Sequence, residues 1–483
     1  MHYMNPFDFV EFVKEINRKT INEWNGLNGN KLFSGRIYLT LKTITPLNIS
    51  GEIKINPDAK SISEKKFYKQ KYSNSLLPCI PANSIKGMLR SYIEALTNGF
   101  VSSYNLEYKK EKTKRNIGFK AEEVIYRQFQ LPKVFDYYST PVDISSFLFG
   151  LTALPSEDKK KFVGALKAKI EFSDVFFNND EIKIYTALDL PDEKVPFGVP
   201  KPQKNNWWYF MPEKITKNNM GNAEFIGSKY RGRKFYFHQD PKQCIKYYYE
   251  EWKHQKLIKY NAECIDSDKA SIPFYINFNK VPESLLKLLL TALCPGRTVR
   301  HKLGSLKPFG FGSVEFNIEK ILFQKNGWDR FESIKVTEAT VLEEDQELKK
   351  LIEKFKERKE PNREISVIED ELIKEGLINE NTWKALRFIL HCPENLKEDN
   401  RKFIYPIFRK KENGEILTAK QKGFAQTVRY ENEYSSKISM KDLREIVVEL
   451  FEDVTNGKQT IDFDFYQTKA DNFTYIKRNA GLL

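Results

Sequence analysis

The stretch of this chain whose residue types and spacing best suit chemistry is His301-Lys302-Leu303-Gly304-Ser305-Leu306-Lys307-Pro308-Phe309-Gly310-Phe311-Gly312-Ser313. Gly304, Gly310 and Gly312 carry no Cβ, so the backbone there can take positive φ and come close to a ligand. Successive amides in such a loop can point at phosphate oxygens. Arg297, Arg300, Lys302 and Lys307 add cations, and Phe309 and Phe311 offer faces on which bases could stack, with Ser313 closing the run. The same residues equally suit a glycine-rich turn with its phenylalanines in the core. The strand-Gly-x4-Gly-Lys-Ser/Thr-helix order of a Walker-type phosphate loop is not met.

A second constellation is Ile80-Pro81-Ala82-Asn83-Ser84-Ile85-Lys86-Gly87-Met88-Leu89-Arg90. It predicts a helix start behind a proline turn, with Asn83 or Ser84 as cap. Free amides and the positive dipole end would face an anion, and Lys86 and Arg90 would lie one turn apart on that surface. A capped helix with solvated cations is the plainer account of the same residues.

These residues need elements to hold them. Ile37, Leu39 and Leu41 alternate with Tyr38, Thr40 and Lys42, which predicts a half-buried strand ending at Pro46. Residues 84–96 form the helix just described, and 168–177, 183–189 and 274–278 read as strands. Residues 283–294, rich in leucine, predict a second helix, and Val314, Phe316 and Ile318 a last strand. Residues 4–25 predict an amphipathic helix, 48–75 and 107–120 polar loops, and 190–270 an irregular insertion. Beyond 320, helices are expected near 346–358, 365–375, 380–391 and 440–452, with strands at 333–342 and 402–408. Strand, helix, two strands, helix, strand is the order of an α+β, ferredoxin-like fold. The expected domains are an N-terminal helix at 1–35, a ferredoxin-like domain at 36–319 with the 190–270 insertion, and an α-rich extension at 320–483.

Composition narrows the partner. Lys and Arg number 79 against 65 Asp and Glu, a net charge of +14, which favours a polyanion such as RNA. Aromatic residues at 14% suit a packed core rather than a disordered chain. The five cysteines, Cys79, Cys244, Cys264, Cys294 and Cys392, are scattered, without metal-ligand spacing, as expected of reduced thiols in a cytoplasmic protein. The first residues carry no charged-then-apolar leader, and no run is apolar enough for a membrane span.

The two constellations together resemble the RAMP superfamily of CRISPR-associated proteins. There an Ile-Pro-Gly-Ser-Ser-Leu-Lys-Gly segment opens the first helix, and a glycine-rich loop precedes the last strand of a ferredoxin-like domain. Thr45-Pro46-Leu47-Asn48-Ile49-Ser50-Gly51, Asp143 to Gly150 and Lys169 to Asp174 fit the same pattern, over residues 36–319. Asn48 stands where His is usual, and Ala82-Asn83 replaces Gly-Ser. Arg231-Gly232-Arg233-Lys234-Phe235-Tyr236 and the region after 320 are similar to a large backbone-type branch, which adds Arg231 and Arg233 to the expected RNA contacts.

The resemblance implies an RNA-binding subunit of a type III effector complex in antiviral defence, holding guide RNA among other CRISPR subunits. Such subunits cut target RNA with an aspartate in the loop after the first strand, which points to Asp58 as a catalytic residue and ligand for a divalent metal such as magnesium. A turn aspartate after Pro57 is the plainer use. Two other functions fit the resemblance or the composition. A guide-processing endoribonuclease would use a histidine, with His238 and His301 in basic settings. A protein-binding scaffold would make the basic surface incidental.

Overall fold

The alternation around Ile37 becomes the centre of the molecule in the computed structural model. It describes residues 3–102 (except 5, 14, 15, 28–31 and 58–60), 132, 135–152, 164–189, parts of 210–251, 257–323 (except 297), 367–397 and 402–403. Strand β1 (Leu32–Thr43) buries Ile37, Leu39 and Leu41 and turns Arg36, Tyr38, Thr40 and Lys42 to its other face. Each of those three apolar side chains contributes roughly 1.5–3 kcal/mol by leaving water.

Around β1 come helix α1 (Ala82–Leu96), strands β2 (Ile170–Phe172) and β3 (Phe274–Pro282), helix α2 (Glu283–Leu293) and strand β4 (Ser313–Phe323). The sheet runs β2, β3, β1, β4, with His301–Lys302 as a short edge strand beyond β4. Its pairs are antiparallel, and Ile37 lies opposite Ile276 on one side and Ile321 on the other. The two helices touch each other and pack on the same sheet. Helix α1 faces the core with Ile85, Leu89, Tyr92, Ile93 and Leu96, the i, i+4, i+7, i+8, i+11 set of one stripe.

Helix α2 is buried nearly all round, including Leu285, Leu286, Leu288, Leu289, Leu290 and Leu293. A helix apolar on every side needs a second cover, and Val367–Lys374 packs on it. Leu372, Trp383 and Leu386, from this segment and the helix Glu380–Ile389, belong to the same apolar core as Ile85 and Leu289. The chain also returns to cap α1, where Thr382 Oγ1 donates to the Leu96 carbonyl at 3.0 Å.

Several expectations change. Residues 7–10 are a strand (Phe7–Val10) paired with Arg233–Tyr236, not a helix start, and helix is confined to Ile21–Asn25, capped by Thr20. Phe7 and Val10 are buried by a partner more than 200 positions away, which local periodicity cannot see. The polar segment 48–75 is not a loop but strands: Ser50–Asn56 pairs with Ser61–Phe67, and Lys69–Tyr72 with Ser75–Ile80.

A four-stranded sheet runs Ile182–Asp189, Ile258–Ile265, Ser61–Phe67, Ser50–Asn56. The strand 182–189 therefore belongs to this second sheet. The presumed irregular insertion 190–270 supplies its neighbour and the helix Pro241–Glu251. Helices expected at 346–358 and 440–452, the strand at 333–342 and the loop 107–120 lie outside the described residues. Of 402–408, Lys402–Phe403 pairs in parallel with Tyr3–Met4.

Candidate RNA interface

The glycine-rich loop folds back on itself, with His301 and Lys302 opposite Val314 and Ser313. It sits on the end of β1. Gly312 N donates to Pro46 O at 2.9 Å, Leu303 N to Gly312 O at 2.8 Å and Ser305 N to Asn48 O at 2.9 Å. Thr45 Oγ1 donates to Gly310 O and accepts from Ser313 N, both at 2.9 Å. Lys302 Nζ donates to the carbonyls of Gly310 and Phe311, each at 2.9 Å. These amides and carbonyls are therefore spent within the protein rather than offered to a phosphate.

The glycines serve that packing. At Gly312 φ is +77° and a Cβ would stand 2.0 Å from Leu303 O; at Gly310 φ is +88° and it would stand 2.6 Å from Gln239 O. The close approach expected of a ligand is made by the chain's own backbone. Phe309 and Phe311 are buried against Tyr248 and Tyr185 and offer no face to a base, which corrects that expectation.

Most of the predicted cations among the described residues are also structural. Arg90 Nε pairs with Glu94 Oε1 at 2.9 Å, and Nη1 donates to Gly150 O at 3.0 Å. Arg300 Nε pairs with Glu315 Oε2 at 2.7 Å. Arg233 is buried, 4.5 Å over the Phe12 ring, and donates to Gly99 O. Asp174 Oδ1 accepts from Ala82 N at 2.7 Å, so a carboxylate of the chain occupies the place assigned to phosphate at the start of α1. Neither Asn83 nor Ser84 caps that helix. Arg231, Arg297 and Asp58 lie outside the described residues.

Two cations keep their charge without an ion pair among the described residues. Lys86 is half-buried near Arg90, and burial first, then Arg90, lowers its ammonium. Lys307 is also half-buried, and burial pushes it down to about 8. It stands near Lys234 and Lys302, each brought to about 7 mainly by burial and further lowered by Lys307. Lys307 thus repels both Lys234 and Lys302 beside the glycine-rich loop. Lys234 escaped notice in the sequence, although strand alternation in Arg233–Tyr236 sets it opposite in direction to buried Arg233.

Both histidines are interior. His238 Nδ1 meets Ser313 Oγ at 2.8 Å and Nε2 meets Arg300 O at 3.1 Å. His301 packs edge-on against Tyr92, and burial lowers it to about 4. Asn48, buried, donates to Glu263 O at 2.7 Å and so ties the end of β1 to the second sheet. Among the described residues no three of His, Cys, Asp and Glu gather as metal ligands. No helix among them is long and apolar enough to cross a membrane.

No curated protein matches the chain. The sequence profile of the RAMP superfamily matches residues 40–315, from the middle of β1, through the helix opening at Pro81 and the glycine-rich loop, into β4. The match takes in more than half of the chain, and the chain belongs to the RAMP superfamily of CRISPR-associated proteins.

Proposed function

We propose that this protein is an RNA-binding subunit of a type III CRISPR effector complex, a cytoplasmic assembly in which it holds guide RNA beside other effector subunits. Membership of the superfamily supports the association with RNA. The sheet order β2, β3, β1, β4 and the two helices packed on it support a ferredoxin-like reading of the domain and so the same function. Fold alone would not carry it.

The observation that carries it is Lys307, half-buried beside the glycine-rich loop near Lys234 and Lys302. Lys307, half-buried at the loop and without a carboxylate partner among the described residues, would be relieved by an anion from outside. A phosphate against Lys307 favours its charged form and releases counterions from the RNA. The direct test is to purify the protein, sequence any RNA it carries, and measure binding to repeat-derived RNA across salt concentrations. Lys307→Ala and Lys234→Ala should each weaken binding for all sequences alike and flatten the salt slope. Absence of both co-purified RNA and salt-dependent binding refutes the reading.

Cleavage of target RNA at Asp58 is a further part of the proposal, supported by position. Asn56 and Ser61 pair across the two strands that flank Asp58, and the first of these strands ends exposed at Ile55 and Asn56. Processing of guide RNA through His238 or His301 is disfavoured, because both rings are enclosed and bonded within the fold.

A further inference from the structure

We propose that the sheet face turned away from the two helices is a stacking platform for two unpaired nucleotides of RNA, an inference that rests on the RNA-binding reading above. The neighbouring strands β3, β1 and β4 set the relevant side chains in register. Tyr38 lies opposite Tyr275, Arg36 opposite Asn277, and Lys320 opposite Tyr38. All are on the face opposite Ile37, Leu39 and Ile276, which fill the core. The tyrosines and Arg36 stay half-buried and Lys320 exposed.

The chemistry of the patch is that of a single-strand binder. The two rings lie 6.4 Å apart, tilted by 56°. Bases stacked in a helix are only about 3.4 Å apart, so neighbouring bases must separate for each to lie on its own ring. Arg36 sits 4.0 Å from the Tyr275 ring centre and 5.8 Å from that of Tyr38, fixed by a 2.8 Å bond to Asn277 Oδ1. Its guanidinium plane extends the stacking surface. Lys320 lies 4.8 Å over Tyr38.

Charge selects the occupant. Among the described residues neither Arg36 nor Lys320 has a carboxylate partner. Of the acids on this face, Glu315 pairs with Arg300, Glu319 accepts from Thr40, and Glu171, opposite Asn277, lies 3.8 Å from Lys167. A bulge between Ile318 and Lys320 shifts the register of β4, so that Lys320 rather than Glu319 faces Tyr38. Bulges re-aim side chains in this way, and here Lys320 comes to stand over the Tyr38 ring while Glu319 accepts from Thr40 on the same face. A cross-strand tyrosine pair that merely stabilised the sheet would need neither the bulge nor two cations that rest on the rings without a carboxylate partner among the described residues.

The test uses the full chain and a 12-nucleotide unstructured oligoribonucleotide, with the same sequence as a duplex for comparison. Tyr38→Phe with Tyr275→Phe keeps the rings and should bind the single strand as the wild type does. Tyr38→Leu with Tyr275→Leu should lose roughly 5- to 150-fold per stacked base, with duplex binding unchanged. Equal single-strand affinity in a folded leucine variant overturns the platform. Wild-type cross-linking to 4-thiouridine RNA needs no variant: adducts on Tyr38 or Tyr275 support it, and adducts elsewhere alone overturn it. If Lys307→Ala weakens binding but the leucine variant does not, only the platform fails. If the wild type binds no RNA, both readings fail.

Discussion

Replacing Arg90 by alanine separates a structural cation from one that touches RNA. The side chain is 18% exposed and its partner Glu94 only 4%, with Nε and Oε1 2.9 Å apart. Burial already raises the Glu94 carboxyl, with Arg90 opposing, and Asp143 nearby raises it further. Removing one member of a buried pair costs about 3–5 kcal/mol, because the other charge is left uncompensated. The Gly150 carbonyl also loses a donor, about 1 kcal/mol more. Glu94 can escape part of this by taking a proton, so a net loss near 3 kcal/mol is expected.

That escape has a sign. A carboxyl raised in the folded state binds its proton more tightly there than in the unfolded chain. The variant's stability is therefore greatest below the ordinary carboxyl value and falls as pH rises through the raised one. Urea unfolding of Arg90→Ala should show a lower midpoint with unchanged slope, a larger deficit at pH 8 than at pH 5, and recovery in Arg90→Ala with Glu94→Gln. Affinity for RNA should keep its salt dependence. An unchanged urea midpoint, together with a salt slope reduced by about one, would refute the reasoning and return Arg90 to the RNA surface.

Three other outcomes are expected. Gly312→Val should destabilise the protein by more than about 2 kcal/mol in urea unfolding, since φ is +77° and a Cβ meets Leu303 O at 2.0 Å; a stable variant with weakened RNA binding would show a ligand-facing loop instead. Lys234, Lys302 and Lys307 lie below the ordinary 10.5, so the unfolded chain binds more protons between about pH 7 and 10; stability of the RNA-free protein should rise with pH there, while RNA affinity falls as the ammonium charges are lost. Asp58→Ala in the assembled complex should abolish cutting of labelled target RNA at the position this subunit covers while leaving RNA affinity intact, and persistence of every cut would make Asp58 a turn residue.

What the sequence by itself determined is whatever depends on near neighbours. The two-residue period of Ile37, Leu39 and Leu41, the stripe of α1 and the leucine density of α2 each impose an element, because backbone geometry repeats every few residues. The Arg90–Glu94 pair was equally legible, as a four-residue spacing on a helix. The need for glycine at 310 and 312 could also be read, since only the missing Cβ permits that approach. Tertiary structure alone decided what approaches. In the fold it is Gln239 and Leu303 rather than phosphate, because the ends of distant strands meet there. It likewise decided which aromatics face outward. Phe309 and Phe311 sit in a basic motif yet are buried, while Tyr38 and Tyr275, unremarkable in sequence, share one face. Alternation assigns residues to two sides of a strand, but only the packing of helices on the sheet makes one side the core and leaves the other to a partner.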